Sequence, residues 1–355
     1  MLDTDPSSAL TDNEPLIKLT GVSQVFKTKR GLVPAVDQVD MSVGPGQVLC
    51  IVGESGCGKT TTARMAAGLT KPTGGTVAYR GKDIWSMSSE EFVRFRRDVQ
   101  YVHQDPYASL NPIRSVRDTL VAPLRRHRLA KNATEGWDQA AELLRRVDLV
   151  PAESFLTKFP HQLSGGQRQR VSIARALSLS PKLIIADEST SMLDVSIRVG
   201  MLNMLGRLRD DLGVGFLFIT HDLAIAKYFG WDGRTAVMYL GRVVEFGPTP
   251  EVINNPKHPY TQALLNAVPE PDPDLTKKKL PGGGLRSAEI PSLRALPSGC
   301  TFHPRCPRFE PGLCEVTEPQ LVPLTPDRSV SCHVVAAETV QAHAVGRPAA
   351  AKEPA

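Results

Sequence analysis

Eight consecutive residues, Gly53, Glu54, Ser55, Gly56, Cys57, Gly58, Lys59 and Thr60, fit the phosphate-loop pattern G-x-x-x-x-G-K-[ST] at every fixed position. Such a loop aims backbone N–H groups at phosphate oxygens, and a Cβ at its tight positions would block the approach. Lys59 brings a compact positive charge to the outer phosphates, the Thr60 hydroxyl suits Mg2+, and Thr61 continues from the loop into a helix. The plain rival is a glycine-rich turn without a ligand. The setting argues against it, because the apolar run Val48 to Val52 precedes the loop and the helix-like Thr61 to Leu69 follows.

Two more stretches carry chemistry of the same kind. Leu183-Ile-Ile-Ala-Asp187-Glu188 reads as a buried parallel strand ending in two acids, and reactive groups collect at the carboxyl ends of such strands. Asp187 is placed to hold Mg2+ and Glu188 to polarise an attacking water. Leu163-Ser-Gly-Gly-Gln167 runs into the helical Arg168 to Leu179, so Ser164, Gly165, Gly166 and Gln167 form a second helix N-terminus open to an anion. Since the phosphate loop already cradles its own nucleotide, the second site is better explained as facing the nucleotide of another subunit. His221, at the end of the apolar strand Gly215 to Thr220, is a candidate for the γ-phosphate against a purely structural role. Phe26 is balanced between stacking on a base and packing in the core.

These groups need a scaffold of alternating strands and helices. Leu16 to Phe26 and Val36 to Val43 are strand-like, and Thr76 to Tyr79 follows the turn signal Lys71 to Gly75. A polar helix is expected over Ser88 to Arg97, then a strand over Val99 to His103, with Gln104-Asp-Pro106 ending it. From Val116 to Leu179 helical periodicity dominates, which suggests an inserted helical subdomain. Ser196 to Leu212 reads as a further helix.

The length of 355 residues suggests about two domains, at roughly 150 residues each. A net charge of +5 among many acids gives no reason to expect nucleic acid. No apolar run approaches the roughly 18 residues that would span a bilayer, and Met1 to Pro15 is acidic and polar rather than signal-like. A soluble, cytosolic chain is expected, with a linker composition rich in Pro, Gly and Lys between Pro269 and Pro297. Of six cysteines, Cys300, Cys306, Cys314 and Cys332 crowd the last fifth, with five, seven and seventeen residues between them. In a reducing compartment this reads as metal binding before disulfides. The spacing leaves Zn2+, a [4Fe-4S] cluster and free thiols open, and His303 and His333 keep a mixed zinc site in play.

Taken in order, the phosphate loop, Gln104, Leu163 to Gln167, Asp187-Glu188, Ser191 to Asp194 and His221 resemble the ATP-binding subunit of an ABC transporter over about residues 16–255. Gln104 to Pro112, His258 to Leu265 and Gly299 to Cys306 look like the dipeptide, oligopeptide and nickel importer branch and extend the resemblance to about residue 334. Ser189 departs from the usual Pro and Met192 from the usual Ala.

The resemblance implies an α/β fold with a P-loop NTPase core of the ABC ATPase type: a RecA-like parallel sheet plus an antiparallel β subdomain. It adds an inserted helical subdomain at about 105–180 and a cysteine-containing extension at 256–334, while composition points to a disordered lead-in at 1–15 and a disordered tail at 335–355. Phe26 would stack on adenine, Lys59 and the loop would hold the β- and γ-phosphates, and Thr60, Asp187 and Gln104 would serve Mg2+. Ser164 and Gly166 would reach the γ-phosphate of an opposing subunit. Glu188 would be the general base, His221 would hold the γ-phosphate and Asp194 would couple the two sites. The family also favours an iron-sulfur cluster on the four cysteines. Implied partners are a second ATPase subunit, in a homo- or heterodimer, two membrane permeases and an extracytoplasmic binding protein, with the chain at the cytoplasmic membrane face. The rivals are nickel import and a non-transport ATPase acting on ribosomes or DNA; the chain has one ATPase unit and no sustained heptads, which weighs against the latter.

Overall fold

The computed structural model describes residues 14–29, 31–191, 193–267 and 284–345. Most of the lead-in, Arg30, Met192, residues 268–283 of the linker-like stretch and the residues after 345 therefore lie outside it. Two sheets organise the chain. The first is antiparallel, in the order β2-β1-β4-β5, from β1 (Ile17–Thr28), β2 (Gly31–Val43), β4 (Gly74–Tyr79) and β5 (Lys82–Asp83). The second has eight strands in the order β11-β12-β10-β9-β3-β8-β7-β6. Its parallel part comprises β3 (Val48–Val52), β6 (Val99–Val102), β7 (Leu183–Asp187), β8 (Gly215–Thr220) and β9 (Arg234–Tyr239).

Strands β3, β7 and β8 are buried over almost their whole length, which is why they read as unbroken apolar runs. Their side chains alternate between two cores. Leu49, Ile51, Leu183, Ile185, Leu217 and Ile219 point into the layer under the antiparallel sheet. Val48, Cys50, Val52, Ile184, Ala186, Phe216 and Phe218 join the core shared with the helical region. The period of two thus assigns each residue to a layer.

Between β6 and β7 the chain forms α3 (Pro106–Ser109), α4 (Val116–Arg126), α5 (Ala133–Arg146), α6 (Ala152–Leu156) and α7 (Gly165–Leu177). This is the inserted helical subdomain that the periodicity predicts. Leu120, Leu124, Ala140 and Leu144, spaced a turn apart, supply its apolar stripe. The remaining core helices are α1 (Lys59–Ala66), α2 (Ser89–Asp98), α8 (Val195–Leu212) and α9 (Leu223–Phe229).

The C-terminal part departs from expectation in two ways. It is continuous with the main sheet: β10 (Arg242–Pro248) pairs with β9, and β12 (Arg328–Val330) and β11 (Val322–Thr325) extend that antiparallel edge. Glu245 on β10, fully buried, is neutralised by Arg328 on β12 at 2.6 Å, so the added strands close over a paired charge. Second, residues 284–297, in a stretch with linker composition, dock on the protein: Leu285, Leu293 and Leu296 pack against the apolar cluster that includes Tyr239, Tyr260 and Phe302. The expectation of a disordered tail over 335–355 does not hold for its first part, since His333–Val345 forms a helix, α12; residues 346–355 lie outside the described residues. Its alanines, with their high helix propensity, outweigh the low-complexity look of the region. Helices α10 (Thr249–Asn254) and α11 (Pro259–Asn266) complete this part.

Candidate active site

The phosphate loop sits between the carboxyl end of β3 and α1. Gly58, the residue before the helix, has φ of 105°, a conformation that L side chains rarely adopt, and a Cβ there would lie 2.4 Å from the Ala35 carbonyl. At Gly53 a Cβ would lie 2.2 Å from the Met238 carbonyl. Both glycines are therefore fixed by space as well as by pattern. The first turn of α1 carries no acid, whereas α2, α4 and α5 each place Glu or Asp there, so the positive end of α1 remains available to an anion.

Lys59 is buried and curls back over the loop, donating to the Gly53 carbonyl at 2.8 Å and the Glu54 carbonyl at 2.9 Å. Its ammonium lies 3.7 Å from Glu188 Oε1. Thr60 Oγ1 donates to Asp187 Oδ1 at 3.0 Å, which brings loop and acid strand together as the motifs require. Asp187 is 3% exposed, and its second oxygen accepts the Tyr101 hydroxyl at 2.6 Å. Burial, followed by the Asp187 charge, pushes the Tyr101 pKa well above the usual phenol value, so the hydroxyl stays a donor. A buried carboxylate beside a hydroxyl is a donor set that fits a hard cation such as Mg2+.

Glu188 has a backbone φ of 43°, rare for a residue with a side chain. The strained turn is pinned because its N–H donates to Ile219 O at 3.0 Å and its carbonyl accepts Ser191 Oγ at 2.8 Å. Gln104 Nε2 donates to Glu188 Oε2 at 2.9 Å, and His221 Nδ1 lies 3.8 Å from the same oxygen. Ser55, Gly56, Gly58, Lys59, Thr60, Thr61, Gln104 and Glu188 line one open cleft of about 320 Å³. Ser189, in the family's Pro position, buries a hydroxyl that has no hydrogen-bond partner among the described residues.

Ser164 caps α7 reciprocally: Gln167 N–H donates to Ser164 Oγ at 3.3 Å and Ser164 N–H to Gln167 Oε1 at 3.0 Å. No acid occupies the first turn of α7 either. Gly166 is buried with Ile197 close by, and a Cβ would meet that side chain at 2.8 Å. Residues 164–167 do not line the cleft of their own chain. Asp194 precedes α8 without capping it through its side chain. Phe26 is 41% exposed on β1, off the cleft lining but free to meet a base.

Sequence reading missed Tyr101, which lies on β6 opposite Ile185 of the acid strand, because that pairing exists only once the sheet forms. It also missed Leu293, which reaches the cleft from the C-terminal part and carries no local signal at all. The cysteines of the C-terminal part lie away from this cleft. Burial, with the other thiols among the lesser causes, pushes Cys300 up to about 11 and Cys306 up to about 12. Among the described residues no group of three or more His, Cys, Asp or Glu side chains is arranged to hold a metal ion. His303 and His333 bring no ready zinc site.

Comparison with known proteins gives the site its context. Residues 36–191 match the family model described as ABC transporter, and residues 244–314 match the oligopeptide/dipeptide transporter C-terminal region. An oligopeptide transport ATP-binding protein of Salmonella typhimurium is 45% identical over 324 residues, covering 89% of this chain and 95% of that one. One of Bacillus subtilis is 40% identical over 337 residues, covering 91% and 98%. Among solved structures, an ATP-binding cassette dimer in a post-hydrolysis state with ADP and Pi is 31% identical with a TM-score of 0.60, over 66% of this chain and 98% of that one.

Proposed function

Because the chain belongs to the ATP-binding subunits of the ABC transporter family, we propose that it hydrolyses ATP to power uptake of di- or oligopeptides through separate membrane permease subunits. The observation that carries the mechanism is the separation of two anion sites. The phosphate loop and residues 164–167 both present helix N-termini without acids, and the second lies outside the first one's cleft. A second subunit, turned head to tail, supplies Ser164, Gly165, Gly166 and Gln167 to the γ-phosphate held by Lys59 and the loop N–H groups. The two chains form a homo- or heterodimer.

In this reading Phe26 stacks on the adenine and residues 53–61 wrap the phosphates. Thr60, Asp187 and Gln104 would hold the Mg2+ that accompanies ATP, and its charge would offset that of the phosphate oxygens. Glu188 accepts a proton from the water attacking the γ-phosphorus, and ADP leaves with the bridging oxygen. Gln104 orients Glu188 through its amide, and His221 holds the γ-phosphate. Asp194 sits at the start of α8, where it links the sites across the dimer. The ATPase domain spans about 16–255, with residues 256–334 as an extension.

The four cysteines are proposed to hold an iron-sulfur cluster. Support comes from the family resemblance and from the backbone, which ties the cysteine segments together: Cys300 N–H donates to Cys314 O at 2.8 Å, and Cys306 N–H donates to His303 O at 3.3 Å. No described helix is long and apolar enough to cross a membrane, and the chain is proposed to bind the permeases at the cytoplasmic face. An external binding protein delivers the solute. The test is uptake of labelled oligopeptide into vesicles containing the permeases and this subunit with ATP inside. Uptake lost on Lys59→Ala supports the reading. Uptake of nickel but not peptide redirects it, and uptake indifferent to Lys59 removes it.

A further inference from the structure

The phosphate-loop pattern sets no residue type at Glu54, yet the C-terminal extension grips this residue twice. Its main-chain N–H donates to Tyr260 Oη at 2.9 Å. Its carboxylate receives a two-pronged contact from Arg305, with Nη1 to Oε2 at 2.8 Å and Nη2 to Oε1 at 3.0 Å. Arg305 is 4% exposed and lies between Cys300 and Cys306. Its own N–H donates to Phe302 O at 3.0 Å, and its carbonyl accepts the Arg286 N–H at 3.1 Å. The Tyr239, Tyr260 and Phe302 rings form the wall behind it, with centroids 4.6 to 5.4 Å apart. Leu293 of the same extension enters the nucleotide cleft beside Gly58 and Lys59.

This arrangement bears on the loop backbone. The Glu54 carbonyl is one of the two that Lys59 occupies, so whatever fixes Glu54 also fixes where the Lys59 ammonium rests. A planar guanidinium gripping a carboxylate with two parallel bonds allows little rotation, in contrast to a lysine. A loop held in its phosphate-accepting shape before the ligand arrives loses less freedom on binding.

We infer that Arg305 and Tyr260 are positioning residues of the nucleotide site, through which the C-terminal extension sets the affinity of the phosphate loop for ATP. The inference rests on the reading of Gly53 to Thr60 as the ATP loop. Coupling of this kind is reciprocal, so nucleotide must in turn stabilise the extension.

The experiment titrates a fluorescent ATP analogue into the full-length wild type, Arg305→Met, Glu54→Gln and the double variant. Each single variant should bind about tenfold more weakly, equivalent to about 1.4 kcal/mol. The double variant should be no worse than either single one, since both remove the same contact. Hydrogen exchange of the amides of residues 299–306 should slow on adding nucleotide to the wild type and stay unchanged in Arg305→Met. An affinity within twofold of wild type in a folded Arg305→Met, or additive losses in the double variant, overturns the inference. If Arg305→Met does not fold, Arg305→Lys and Tyr260→Phe carry the same test, and unchanged affinity in both is equally fatal. Binding that Lys59→Ala abolishes but Arg305→Met leaves intact removes this inference alone; a wild type that binds no nucleotide removes the ATP reading beneath it.

Discussion

Replacing Glu188 with Gln keeps the shape of the site and removes one charge. The backbone at this residue is pinned by Ile219 O and by Ser191, neither of which touches the side chain, so the strained turn should survive. Gln104 can still donate, now to an amide oxygen in place of Oε2. What disappears is the proton acceptor for the attacking water and the negative charge 3.7 Å from Lys59. General-base catalysis is worth about 10² to 10⁴ in rate, or about 3 to 5 kcal/mol of barrier. Turnover should therefore fall by at least about 100-fold. Binding should move the other way or not at all. Opposite charges about 4 Å apart attract by about 4 kcal/mol at an effective dielectric constant of 20, before desolvation is counted. Part of that attraction competes with phosphate for Lys59 and is lost in the variant. Phosphate release, analogue titration and gel filtration with ATP read the three quantities. The variant should bind ATP at least as tightly as wild type and accumulate as a closed dimer. Turnover within tenfold of wild type, or affinity more than tenfold weaker, would refute the role given to Glu188.

Anaerobically purified protein should be brown and contain iron that Cys306→Ser loses, measured by absorbance and metal analysis; colourless protein with stoichiometric zinc would overturn the cluster. Ser164→Ala removes the acceptor for the Gln167 N–H, a cap worth about 1 kcal/mol, along with the contact proposed across the dimer. ATPase turnover should drop while analogue binding to the isolated subunit's own loop is retained. His258 is buried, and burial pushes its pKa from the ordinary 6.5 down to about 3, with Nδ1 accepting the Tyr260 N–H at 3.0 Å. Its native form stays neutral while the unfolded chain takes up a proton below pH 6.5. Stability is therefore lost as pH falls from 6.5 toward 3, by about 2 kcal/mol at pH 5 from this group. His258→Asn keeps a side-chain acceptor without the titration, and urea midpoints between pH 7 and 5 should fall less steeply than in wild type.

The sequence by itself determined the chemistry that is local. Gly53 to Thr60 needs only its neighbours to become a loop between strand and helix, because the glycines, the apolar run before them and the helix after them are contiguous. Ser164 and Gln167 cap α7 within four residues for the same reason. The continuous apolar character of β3, β7 and β8 likewise announced a buried parallel sheet. Only the tertiary structure decided which distant residues these elements meet. Tyr101 reaches Asp187 because β6 lies beside β7, and Arg305 reaches Glu54 across 251 positions because the extension packs on the wall of Tyr239 and Tyr260. Leu293, in a stretch with linker composition, ends in the cleft because its leucine neighbours find that same wall. Composition reports what a segment contains; burial depends on the surface another segment offers it, and that is fixed only when the whole chain folds.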